Sequence, residues 1–150
     1  MDIDARHYSK PRLVALGLLL ALGGCSGIEA PEPMASAGLS CVDDSLECIT
    51  KRQSLLKTMV SDKDRKWVRD TPTPEAYASG VRLFAFKSKK KELSCDELSI
   101  GRREADGASA SLRGPGANRL TPQQISRGAM LAQEVSRELG NEMSRRCKKA

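Results

Sequence analysis

Five cysteines have the widest chemistry open to them in this 150-residue chain: Cys25, Cys41, Cys48, Cys95 and Cys147. A thiol can carry a lipid, close a disulfide or ligate a soft metal. Six, 46 and 51 residues separate the last four cysteines. That spacing holds no Cys-x-x-Cys and no nearby His, unlike a structural zinc site or a thioredoxin-type redox motif. An even set of four in an exported chain predicts two structural disulfides. The one histidine is His7, near the start. Beyond it the chain has no base for a Ser-His-Asp triad or Cys-His pair, and no His to hold zinc. Phosphate-cradling and dinucleotide fingerprints do not occur either, so no cofactor and no metal are expected. A carboxylate pair is the one catalytic device that composition leaves open, with Glu75, Asp96, Glu97, Glu134, Glu138 and Glu142 as candidates. Each reads first as a helix cap or a solvated helix charge. Glu134, Glu138 and Glu142, at i, i+4 and i+8 among arginines, read as an exposed charged strip.

Cys25 differs from the other four in its surroundings. Arg6, Lys10 and Arg12 precede ten apolar residues, Leu13 to Leu22, and Gly23, Gly24 and Cys25 follow. Ten residues fall short of the roughly 20 that span a bilayer, and they match the apolar core of an export signal. The run Leu22-Gly23-Gly24-Cys25 resembles the lipobox of prokaryotic membrane lipoproteins: a branched apolar residue, two small residues, then the modified Cys. Gly23 departs from the commoner Ala or Ser. The resemblance covers only the first fifth of the chain. It implies a diacylglycerol on the Cys25 thiol, cleavage before Cys25 and a protein facing the periplasm from the cell envelope. Ser26 stands where an Asp would retain such a protein in the inner membrane, which points to the outer membrane in an organism that has one.

The chain carries 25 basic and 19 acidic residues, a net charge of +6. Without residues 1–24 the counts become 22 and 17, and the net charge +5. Such a balance favours acidic lipid headgroups or acidic wall polymers as partners. Nucleic acid is not an expected partner, because an envelope compartment holds little of it. Lys87, Lys89, Lys90 and Lys91 form one candidate anionic-surface contact, and Arg145, Arg146, Lys148 and Lys149 another. Solvated faces and dipole compensation at helix C-termini are the competing account of both.

The elements that position these groups read as helices. Residues 1–24 are an expected signal peptide. Residues 25–40, with Pro31 and Pro33 and few apolar groups, read as a lipidated N-terminus and tether. Ser26 to Ser40 reach at most about 50 Å. The remainder, 41–150, reads as an all-α domain of three main helices and a short one. Val42, Leu46, Ile49, Leu56, Val60 and Trp67 lie along one helical face and predict a helix over about 42–69. Asp44 with Glu47, or Ser40 a turn earlier, offers its cap. Thr73 and Pro74 open a second helix over about 74–91. Ser94 and Glu97 form a capping box, with Leu93 and Leu98 as its hydrophobic staple, for a short helix over about 95–105. Three glycines between Asp106 and Arg119 predict a loop. Thr121, Pro122 and Gln124 open the last helix, about 122–147. Gly128 and Gly140 within it suggest close approach of a neighbouring backbone. Met130 and Leu131 widen its apolar face.

If Cys41 and Cys48 share a helix, their α-carbons lie about 10 Å apart along its axis, beyond the 7 Å or so that a disulfide spans. An antiparallel second helix and a last helix parallel to it would bring Cys95 and Cys147 to them. That topology favours Cys48–Cys95 with Cys41–Cys147, and leaves the exchanged pairing open. A non-helical segment around Cys41 would instead allow a local Cys41–Cys48 bridge. The function read from all of this is a non-catalytic envelope lipoprotein acting by protein or polymer contact. The alternative is a wall- or lipid-active enzyme working through two carboxylates.

Overall fold

The computed structural model describes residues 39–147. The expected signal peptide, Cys25, most of the tether, Lys148 and Lys149 lie outside the described residues. Five α-helices follow in order: α1 Leu46–Ser61, α2 Pro74–Ser79, α3 Val81–Lys89, α4 Cys95–Ser111 and α5 Pro122–Arg146. Short 3-10 turns occupy Lys66–Arg69 and Pro115–Ala117. Among the described residues there is no strand, and the all-α fold class stands.

α1 is shorter at both ends than its apolar spacing suggests. Neither Asp44 nor Ser40 caps it; the Ser45 hydroxyl accepts from the Cys48 N–H at 3.2 Å. At the other end Asp62 stops the helix. Its carboxylate accepts from the backbone N–H groups of Asp64 at 3.0 Å and Lys66 at 2.9 Å. A short acidic side chain here outcompetes helix continuation. Arg65 then adopts left-handed geometry, φ 48°, and Trp67 turns back onto α1. The Trp67 indole N–H donates to the Met59 carbonyl at 2.9 Å, and its ring meets Phe86 edge-on at 4.8 Å.

The helix expected over 74–91 is two helices. Gly80 takes φ 75°, ending α2 and opening α3. A Cβ there would stand 2.9 Å from Leu131 of α5, so both backbone and space require glycine. The α4 helix runs six residues past Ala105, into the expected loop. Its small residues serve packing: Ala105, Ala108 and Leu112 are buried. Across from them, a Cβ on Gly128 would meet Leu112 and the Tyr77 carbonyl at 3.0 Å each. Gly128 thus gives the close approach expected of it. Gly140 does not, since a Cβ there would make ordinary contact with Arg102 at 3.5 Å. Gly101 is the tighter site: a Cβ would lie 2.5 Å from the Phe86 ring.

α4 and α5 pack along their lengths. They are antiparallel, because Cys95 bonds Cys147 at one end while Leu112 meets Gly128 near the other. α3 runs parallel to α5, with Gly80 beside Leu131 and Lys87 beside Glu134. That parallel course is the one the sequence reading assumed, and it does bring Cys147 to Cys95.

The preferred disulfide pairing is nevertheless corrected. The bridges are Cys41–Cys48, with α-carbons 5.3 Å apart, and Cys95–Cys147, at 5.7 Å. The cause is twofold. Cys41 precedes the helix, so its chain folds back on Cys48; the Arg52 guanidinium fixes that loop by donating to the carbonyls of Cys41 and Asp43 at 3.2 and 2.7 Å. The second cause is direction. Asp44, before α1, pairs with Arg127 in the second turn of α5 at 2.9 Å. Arg65, after α1, reaches Glu97 in the first turn of α4 at 3.0 Å. Hence α1 begins at the end of the molecule opposite Cys95, and the 62–80 segment carries the chain back before α3 starts.

Candidate contact surfaces

The two basic clusters meet at one end of the molecule. Arg146, in the last turn of α5, donates to the carbonyls of Lys90, Lys91 and Leu93 at 3.1, 2.8 and 3.0 Å. It thereby ties down the turn between α3 and α4. Most of the other cations there are answered by acids. Lys87 bonds Glu134 at 2.6 Å and Glu138 at 3.3 Å. Lys90 also pairs with Glu138, and Lys89 with Glu92. Arg145 and Arg146 reach Glu142 at 2.6 and 3.7 Å. The hydrogen bond from Lys90, then that from Lys87, holds the Glu138 carboxyl below its usual range. The Glu134 hydrogen bond raises Lys87. Of the expected acidic strip, Glu142 is buried, 5% exposed, and the other two face the α3 lysines. Much of the basic charge at this end is therefore spent on the α3–α5 seam. Lys91 is exposed there and has no ion-pair partner among the described residues.

The remaining candidate carboxylates serve helix starts. Glu97 closes the Ser94 box, accepting from the Ser94 N–H at 2.7 Å, with Leu93 and Leu98 buried as the staple requires. Burial pushes its carboxyl up, but the Ser94 backbone and Arg65 outweigh that and leave it lowered. Glu75 and Asp96 stand in the first turns of α2 and α4, where the helix dipole favours negative charge. The Thr121–Gln124 box opens α5 as expected.

A buried ion pair was not singled out from the sequence. Arg82 is 2% exposed, and its guanidinium forks onto Glu104 at 2.6 and 2.9 Å. It also donates to the carbonyls of Trp67, of Val68 at 3.2 Å and of Asp70 at 2.8 Å. One side chain on α3 thus ties α4 to the 66–70 segment. Desolvation raises the Glu104 carboxyl, and Arg82 opposes it. The sequence did hold a signal: Arg82 falls on the stripe of Ala78, Ala85 and Phe86, and Glu104 on that of Gly101, Ala105 and Ala108. Opposite charges on two buried stripes are natural partners.

Among the described residues, the surface hollows include the following three. One of about 240 Å³ lies against Leu39, Leu55, Met59 and Trp67. A second, about 280 Å³, is lined by Leu56, Val81, Phe84 and Leu131; Phe84 at its edge is 44% exposed. Met130, the other half of the expected apolar pair, is 63% exposed and outside the core. The third, about 500 Å³, lies between the 68–72 segment and α4, against Glu104 of the buried pair, and carries Arg69, Tyr77 and Arg103. Among the described residues no three acids, cysteines or histidines cluster as metal ligands, and no helix is long and apolar enough to cross a membrane. No protein-family model, curated protein or solved structure matches the chain.

Proposed function

We infer that the chain is a lipid-anchored protein of the bacterial envelope, whose helical domain faces the periplasm and acts by contact rather than catalysis. The observation that carries the reading is the partition of the thiols. Four of the five cysteines are used in two bridges, which leaves Cys25, at the end of the lipobox-like run, as the remaining thiol. Two disulfides suit an oxidising compartment, and two or more acyl chains give stable anchoring where one does not. A contact role is supported by the candidate carboxylates, whose geometry is that of caps and ion pairs. The outer membrane is the proposed location, on the strength of Ser26. The partner is an envelope protein or an acidic polymer.

Fractionation of cells making the full chain tests the anchor. The wild-type protein is expected in the membrane fraction, and Cys25→Ser in the soluble periplasm or retained as the uncleaved precursor. A Cys25→Ser chain cut at the same place and still bound to membrane would contradict the reading.

A further inference from the structure

We propose that the hollow beside the Arg82–Glu104 pair binds an organic phosphate, with Arg69 and Arg103 gripping the phosphate and the apolar wall taking its substituent. Three elements bring donors to this one cavity: Arg69 from the 3-10 turn, Tyr77 from α2 and Arg103 from α4. Both arginines are exposed, and among the described residues neither has an ion-pair or hydrogen-bond partner. Arg113, Arg119 and Arg137 are likewise unpaired among the described residues, but they line none of the three hollows. The Tyr77 ring is buried, yet no buried side-chain oxygen or nitrogen lacks a partner. Its hydroxyl, which no described group takes, therefore keeps some contact with solvent, and Tyr77 lines the cavity. Burial, then the Glu104 charge, pushes that phenol up to about 12, so it stays a neutral O–H donor.

Two guanidinium groups and a hydroxyl suit a tetrahedral dianion, which offers oxygens in several directions, better than a planar carboxylate. Val68, Pro72 and Ile100 line the same hollow and supply apolar contact beside the charge. Two acids also line it. Glu104 is already held by both arms of Arg82, whereas Asp70 is exposed and opposes an incoming anion. The site's position is fixed from below, because Arg82 holds the Val68 and Asp70 carbonyls on either side of Arg69.

The proposal supplies a ligand class for the contact role above and rests on that reading only for the compartment. Calorimetric titration of the full-length Cys25→Ser chain with hexyl phosphate separates the two, since it needs no lipid anchor. Saturable binding is expected, roughly tenfold tighter than for inorganic phosphate because of the added apolar contact. Arg69→Gln and Arg103→Gln should each weaken it roughly tenfold with the melting temperature unchanged. Asp70→Asn should tighten it, and Lys91→Gln should leave it alone. Competition by phosphatidic acid vesicles, whose headgroup is a phosphate monoester, would assign the phosphate to a lipid headgroup; competition by glycerol phosphate alone would assign it to a free ester. Failure to saturate, or equal binding by both arginine variants and wild type, would overturn the proposal.

Discussion

Arg82 is the residue on which the interior most depends. It pairs with Glu104 and holds three backbone carbonyls while almost wholly out of water. Removing one member of such a buried pair typically costs about 3–5 kcal/mol, because the other charge is left without compensation. Arg82→Met is expected to lose that much in urea unfolding. Adding Glu104→Leu should recover only part, since the carbonyls of Trp67, Val68 and Asp70 still lose their donor. Full recovery would mean that those three bonds contribute little. Acid sensitivity has a separate source. Glu97 and Glu138 have lowered pKa values in the folded protein. Their stabilisation is complete above the ordinary value of 4.5 and is lost as pH falls through the lowered values. Glu104, raised by burial, has the opposite sign: stability falls as pH rises through its folded pKa. Urea midpoints measured from pH 3 to 7 should therefore fall on the acid side, and less so in Glu97→Gln and Glu138→Gln.

At the scale of elements, the starts of α2, α4 and α5 were legible in the sequence, while the start of α1, the break at Gly80 and the ends of α1 and α4 were not. Thr73, Ser94 and Thr121 cap where the local pattern places them, because a cap is a contact between residues three apart. Helix ends depended on contacts that apolar spacing does not report. α1 stops where Asp62 turns its carboxylate onto later N–H groups. α4 persists through glycine and alanine because α5 lies close against it. The periodicity of Trp67 with α1 was real as an apolar spacing, but the ring returns to the core from a separate turn. The bridges followed the same logic: a local one required only a non-helical Cys41, and the wrong pairing came from an assumed hairpin of the first two helices. The candidate contact residues were legible as clusters, while the acid partners of Lys87 and Lys90 lay 47 and 48 residues away, on α5. Two predictions belong here. Gly101→Ala should destabilise the domain more than Gly140→Ala, because the added methyl meets the Phe86 ring at 2.5 Å in one case and Arg102 at 3.5 Å in the other. In the chain-entropy account, opening Cys95–Cys147 by double alanine substitution should cost about 4 kcal/mol, and opening Cys41–Cys48 about 2.5 kcal/mol, as the loop closed is shorter. Thermal unfolding of each variant measures the order; its reversal would point to strain or residual structure in the unfolded chain.

Taken as a whole, the described residues form a helical domain closed by one bridge at each end. The bridges lie at opposite ends, so an oxidising compartment reinforces both the 41–48 entry loop and the α4–α5 seam. Its excess positive charge is not spread evenly. Glu134, Glu138 and Glu142 neutralise much of the α3–α5 end, which shifts attention toward the unpaired Arg69 and Arg103 beside the third hollow. On the proposed reading, a tether of up to about 50 Å would let the domain present that face to the membrane surface or to what lies beyond it. The central claim is that Cys25 is the anchor, and the mass of the N-terminal peptide from protein purified out of bacterial membranes tests it most directly. The account predicts a peptide beginning at Cys25 and carrying diacylglycerol on its sulfur, absent from the Cys25→Ser variant. A peptide beginning at Met1, or one holding an unmodified Cys25, would contradict it.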